Sequence, residues 1–221
     1  MITARYRSDY DGEFVITETR LVDGRKQEQR EWIDNPIIHE RISNRAAIIC
    51  SSYDQKRFDY RRLQNHKGGL LGSKRLQTYA TGDIWQDMRL DFHVTTHKPT
   101  LRQIVESGYD EHSVIYSSTA GVLAHPGHFY LIPYTPYLTD LAAAIYLASF
   151  DGHEEIFLIG YNIDVPQDDK NTVTDIFDVM RTYSGTRYVS VGTPAGQPAA
   201  WLELPNFSTM PLREFISYCD I

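Results

Sequence analysis

The chain has 221 residues, a net charge of −7, 42% apolar residues and 23% charged residues. These values suit one folded domain with a small appendage, long enough to bury a core without covalent staples. They exclude a basic nucleic-acid binder, because no block of Lys and Arg is present to neutralise a phosphate backbone. They also exclude a membrane span, because the longest apolar stretch is broken by Asp140, Asp151 and Glu154.

Lys56, Arg57, Arg61 and Arg62 form one small positive cluster, which reads as a solvated face. The two cysteines, Cys50 and Cys219, can make neither a disulfide framework nor a metal site alone. Free thiols favour a reducing compartment. The N-terminal stretch is polar and lacks the apolar centre of a signal peptide, so a cytoplasmic location is expected. The 15 tyrosines suit half-buried sheet faces, subunit contacts or a polar cleft.

In chain order, Phe14–Leu21 alternates as a strand does, and Lys26–Trp32 follows Asp23-Gly24. A DG pair between two such runs predicts a hairpin. The hairpin is polar for a core element, so residues 1–35 read as an arm at a sheet edge or a subunit interface. The main domain, residues 44–221, opens with Ala46–Cys50, an apolar run suited to a central parallel strand. Further strands are predicted at Gly69–Leu71, Leu90–Val94, Ser113–Tyr116 and Phe129–Ile132. Pro99 suits the first turn of a helix over Thr100–Ser107, which Gly108 ends. Leu138–Phe150 is an apolar helix capped by Thr139 or Asp140, and Glu155–Ile159 is the strongest strand. Thr172–Tyr183 is helical by its spacing of Val173, Ile176, Phe177 and Met180. Arg187–Val191 and Trp201–Leu204 read as strands, and Pro211–Tyr218 as a terminal helix. Strands alternating with helices predict an α/β fold: a mostly parallel, Rossmann-like sheet with helices on both faces and an N-terminal β-hairpin arm.

The common catalytic signatures are absent from the sequence: no GxGxxG, no GxxxxGK[ST], no GxSxG and no HExxH. His125-Pro126-Gly127-His128 reads as a surface turn rather than a metal site, with no third ligand near it in sequence. Asp164, Asp168 and Asp169 read first as a solvated acidic loop. Ser51, Ser73, Thr96 and Ser118 are different, because each lies just past an expected strand. With Tyr161 and Asn162 they would line the carboxyl edge of the sheet, where open α/β sheets bind ligands. Short hydroxyl and amide side chains there suit hydrogen bonding to a polar ligand, or simply cap the following helices.

The stretch from Leu138 to Asn162, LTDLAAAIYLASFDGHEEIFLIGYN, resembles the bacterial sialyltransferases that use CMP-activated sugars, and the related motility-associated glycosyltransferase-like proteins. There a Ser-Gly pair opens the helix and the strand ends in a G-[IYF]-D motif. Here Thr139-Asp140 and Gly160-Tyr161-Asn162 stand at those places. Strand order corresponds more loosely from Asn44 to Asn162. The resemblance implies a nucleotide or nucleotide-sugar site, CMP- or UDP-linked, with no metal and no cofactor. Its substrate-binding residues would be Ser51, Ser73, Thr96, Thr139, Tyr161 and Asn162. The chain departs from the family after its first strand, where Cys50-Ser51-Ser52-Tyr53 replaces a Gly-rich turn that carries an Asn. It also has no His after His153, where the family places its general base. His97 and Asp164 are the proton-transfer candidates that remain. The chain as a whole also resembles uncharacterised proteins of tailed bacteriophages. Two readings follow: a glycosyltransferase-like enzyme, or a non-catalytic binding or assembly protein that keeps the fold. The hairpin and the tyrosines also suit a homo-oligomer contact.

Overall fold

A computed structural model describes residues 2, 4, 14–33, 43–50, 63, 76–134, 136–161, 170–192 and 196–219. Two sheets are present among them. One is a two-stranded antiparallel ribbon of β1 (Phe14–Val22) and β2 (Arg25–Ile33). The other has eight strands, all parallel: β3 (Arg45–Ile49), β4 (Gln77–Ala80), β5 (Phe92–Val94), β6 (Val114–Ser117), β7 (Tyr130–Leu131), β8 (Glu155–Ile159), β9 (Arg187–Val191) and β10 (Phe207–Met210). Their order is β10-β9-β8-β3-β4-β5-β6-β7. The chain winds outward from β3 to one edge, returns to pair β8 with β3, and winds out to the other edge. That reversal is the switch point of a doubly wound sheet.

Six helices complete the described fold: α1 (Lys98–Ser107), α2 (Thr119–Ala124), α3 (Asp140–Phe150), α4 (Lys170–Thr182), α5 (Ala199–Leu202) and α6 (Leu212–Cys219). Strand side chains alternate between two faces. Ala46, Ile48, Tyr79, Ile156 and Leu158 pack with α3, with Ile176, Val179 and Met180 of α4, and with Trp201 of α5. Ala47, Ile49, Phe157 and Val189 pack on the other face with Phe215 and Cys219 of α6. Ile115, toward the β7 edge, packs with Leu101 and Ile104 of α1 and Val122 of α2. Every residue of α3 from Ala142 to Phe150 is buried, which explains why its sequence is apolar around the whole circumference.

Polar contacts fix the amino end of the sheet. His153, just before β8, bonds through Nδ1 to the Ser43 carbonyl at 2.8 Å and through Nε2 to the Tyr79 hydroxyl at 2.9 Å. The Tyr79 hydroxyl also donates to Asp151 at the end of α3. Glu155 holds Arg45 at 3.2 Å and Arg187 at 2.9 Å, tying β3, β8 and β9. Asp91 accepts from the Thr78 N–H and hydroxyl at 2.8 and 2.9 Å, which pins β4 to β5. In α2, an added Cβ at Gly121 would run into Ser117 and Leu101, so glycine lets α2 approach β6.

Two parts of the sequence reading are corrected. Trp201–Leu204 is not a strand: Ala199–Leu202 is a helical turn led by Pro198, with Trp201 Nε1 donating to the Val173 carbonyl at 3.1 Å. The edge strand is β10, five residues later than Leu202. The strand between β3 and β5 in the sheet is β4, which the sequence reading missed, and the expected strand at 69–71 lies outside the described residues. The hairpin turns at Asp23-Gly24 as expected, with φ of 52° and 73°, the type I′ signature.

Candidate functional site

The switch point lies between the carboxyl ends of β3 and β8, where the Cys50 N–H bonds to the Ile159 carbonyl at 3.0 Å. Gly160 turns the chain there with φ of 83°, a conformation that favours glycine. Tyr161 follows, buried on the α3 face together with Cys50. Its hydroxyl has no hydrogen-bond partner among the described residues. Burial raises its pKa well above the ordinary tyrosine value, with the nearby Cys50 thiol acting in the same direction. Gln197 donates to the Tyr161 carbonyl at 3.4 Å and so brings the loop before α5 to the same edge.

Thr139 is the N-cap of α3, but its hydroxyl makes no cap bond and is buried without a partner among the described residues. The Thr139 N–H instead donates to Oδ2 of Asp175 on α4 at 3.2 Å. Beside it, Asp140 reaches the end of β5: Thr95 Oγ1 donates at 2.8 Å, the Thr96 N–H at 2.9 Å and Thr96 Oγ1 at 2.6 Å. His97 comes next, exposed at the start of α1, with Nδ1 3.0 Å from Thr100 Oγ1. Ser118, past β6, caps α2 through a bond from the Gly121 N–H at 3.4 Å.

Of the residues expected from sequence, Thr96, His97, Thr139 and Tyr161 all stand at the carboxyl edge, Thr96 and Thr139 beside one another through Asp140. The Thr96 hydroxyl is engaged by Asp140, and Ser118 serves as a helix cap. Ser51, Ser73, Asn162 and Asp164 lie outside the described residues, as do Asp168, Asp169 and the Lys56–Arg62 cluster. Sequence reading gave Asp140 no role beyond capping and overlooked Asp175. An Asp at a helix start is a visible cap signal, but its partners are set by the fold.

The HPGH turn has a structural role. The Gly127 N–H donates to the Val15 carbonyl at 3.0 Å, and His128 Nδ1 lies 2.6 Å from Asp110. Among the described residues no group of three or more His, Cys, Asp or Glu side chains is placed to hold a metal ion, and no helix is long and apolar enough to cross a membrane.

These features define a doubly wound, Rossmann-like α/β protein with polar side chains gathered at the carboxyl edge of a parallel sheet. No protein-family model and no curated protein matches the sequence. Among solved structures the chain is similar to the sialyltransferase CstII from Campylobacter jejuni, in complex with the substrate analogue cytidine-5′-monophosphate. The identity is 12% and the TM-score 0.40, over 73% of this chain and 86% of that one. At that score the fold assignment rests on the strand order itself. The comparisons lend no support to the bacteriophage likeness.

Proposed function

We propose that the chain binds a nucleotide or nucleotide sugar beyond the carboxyl ends of its parallel strands, as a glycosyltransferase-like protein. The observation that supports this best is the pair of buried hydroxyls without partners, Tyr161 Oη and Thr139 Oγ1, at that edge. Buried polar atoms are nearly always paired, and a ligand's hydroxyl or amide groups would pair these. His97 is the proton-transfer group of this reading. In the tautomer whose Nδ1–H donates to Thr100 Oγ1, Nε2 carries the lone pair that takes a proton from an acceptor hydroxyl. Asp164, on the segment after β8, is the second candidate.

A non-catalytic binding or assembly role is the second reading, and one observation favours it. A helix N-terminus attracts anions, but the Thr139 N–H at the N-cap of α3 already carries the Asp175 carboxylate, and the Thr96 N–H at the end of β5 beside it carries that of Asp140. The chain's own acids take the place that a phosphate would want.

Calorimetric titration with CMP, UMP, UDP-sugars and CMP-sialic acid tests the binding. Transfer or hydrolysis of a nucleotide sugar, lost in His97→Ala and kept in His128→Ala, decides for the enzyme. Silence toward every nucleotide leaves the assembly reading.

A further inference from the structure

The hairpin leaves one strand edge open, and the sequence along that edge matches itself. The Val15 carbonyl accepts from Gly127 of the main domain. In an antiparallel ladder the N–H and C=O of one residue point the same way, and residue pairs alternate between bonded and non-bonded. Val15 and its partner Trp32 are therefore a non-bonded pair, so Trp32 points its backbone groups away from β1. By the same alternation Arg30, Glu28 and Lys26 do so too, while Arg25, Gln27, Gln29, Glu31 and Ile33 bond to β1. This phase agrees with the two-residue turn, which needs Val22 and Arg25 to be bonded. β1 leans on the main domain through Val15, which is fully buried among Leu101, Ile104, Ile115, Val122 and Phe129. β2 is exposed from Arg25 to Trp32.

We infer that β2 pairs with β2 of a second copy of this chain, joining two hairpins into a four-stranded antiparallel sheet. A two-fold axis relating antiparallel edge strands must stand perpendicular to the sheet. Each residue then faces one of its own parity, which restricts the register to alternate positions. The register centred on Gln29 is the one that overlaps all of β2. It sets Glu28 opposite Arg30 and Arg30 opposite Glu28, with Lys26 opposite Trp32 on either side. All four of these residues carry outward backbone groups, so each facing pair exchanges hydrogen bonds as well. Opposite charges and a cation beside an indole stabilise such cross-strand pairs. Slipping the register by two residues one way sets Glu28 against Glu28 and Lys26 against Arg30. Slipping it the other way sets Arg30 against Arg30. The same construction on β1 would set Glu18 against Glu18, and part of that edge already faces the main domain. Pairing also removes an exposed edge, which otherwise templates non-specific association.

Charge reversal in the full-length chain tests this by sedimentation velocity over a wide range of protein concentration. The expected result is a reversible dimer for the parent. Glu28→Arg alone and Arg30→Glu alone should each dimerise roughly tenfold more weakly, from two like-charged pairs in place of two ion pairs. An equimolar mixture of the two variants should form a heterodimer of parental strength, and the double variant E28R/R30E should recover self-association. Both positions are exposed, so unchanged circular dichroism and melting of the variants separate lost pairing from lost folding. A parent that stays monomeric throughout, single variants that dimerise like the parent, or folded variants whose mixture does not associate would each overturn the inference.

Discussion

The Thr96 hydroxyl donates to Oδ1 of Asp140 at 2.6 Å, joining the end of β5 to the first residue of α3 across 44 residues of chain. With the Thr96 N–H and the Thr95 hydroxyl, the Asp140 side chain accepts three bonds from this one strand end. Asp140 therefore acts as a strut between sheet and helix as well as a favourable charge at a helix start. Asp140→Ala should lower stability by about 1–3 kcal/mol, the usual range for a half-buried carboxylate with several backbone and hydroxyl donors. Urea unfolding monitored by circular dichroism measures it, and an unmoved midpoint would show that the strut carries no weight.

The same carboxylate gives a binding prediction. If Asp140 and Asp175 occupy the positions an anion would take, removing one charge should open the helix start to phosphate. Asp140→Asn keeps the shape and one of the two acceptor oxygens, and is expected to tighten binding of CMP or UMP in a calorimetric titration. Weaker binding in the variant would place the carboxylate among the groups that hold the ligand.

The core helix offers a stability test. Ala142 and Ile145 have no exposed surface, since α3 lies between the sheet and α4. Ile145→Asp or Ala142→Asp buries an unpaired charge and should cost roughly 3–5 kcal/mol. Insoluble expression or a strongly lowered melting temperature is the expected readout; a soluble variant melting with the parent would contradict the packing.

The sheet was legible where its strands are apolar on both faces. Glu155–Ile159 and Arg187–Val191 match β8 and β9 residue for residue, because both faces of the central strands are covered and turns bound them. β4 was not legible. Its sequence, QTYA, hides two buried polar residues, and Thr78 is satisfied by Asp91, a partner 13 residues away that no periodicity reveals. β10, FSTM, sits at the edge with its two middle residues only half-buried, so its pattern is weak. Trp201 drew the strand assignment to itself although its ring anchors a helical turn. For the site, the strand ends pointed to the carboxyl edge of the sheet, where Thr96, His97, Thr139 and Tyr161 stand. The ties of Asp140 and Asp175 to Thr96 and Thr139 were not legible, since side-chain pairing across the fold leaves no trace in spacing.

Among the described side chains of the hairpin, Val15 alone is buried. An isolated hairpin is marginal in water, so its order depends on this contact. Val15→Asp should release the arm and cost about 2–4 kcal/mol by placing a charge among Leu101, Ile115 and Phe129. Deleting residues 1–34 should expose the same apolar surface. Dye binding to exposed apolar surface should rise in both variants; a truncated chain that melts and stays dry like the parent would give the arm no structural role.

His93 sets a pH dependence. It lies in β5 between Ala80 and Ile115, fully buried, and neither ring nitrogen has a partner among the described residues. Burial alone lowers its pKa from 6.5 to about 3. The folded chain therefore keeps the ring neutral while the unfolded chain takes up a proton below about 6.5. The corresponding stability is fully present above that pH and is lost as the pH falls toward 3, by up to about 1.4 kcal/mol per pH unit. His93→Met removes the titration and two unpaired polar atoms at similar volume, so it should also be more stable at neutral pH. The stability gap between variant and parent, from urea unfolding at a series of pH values, should widen steadily below pH 6.5. Parallel curves for the two proteins would mean that the ring is protonated, or finds a partner, in the folded state.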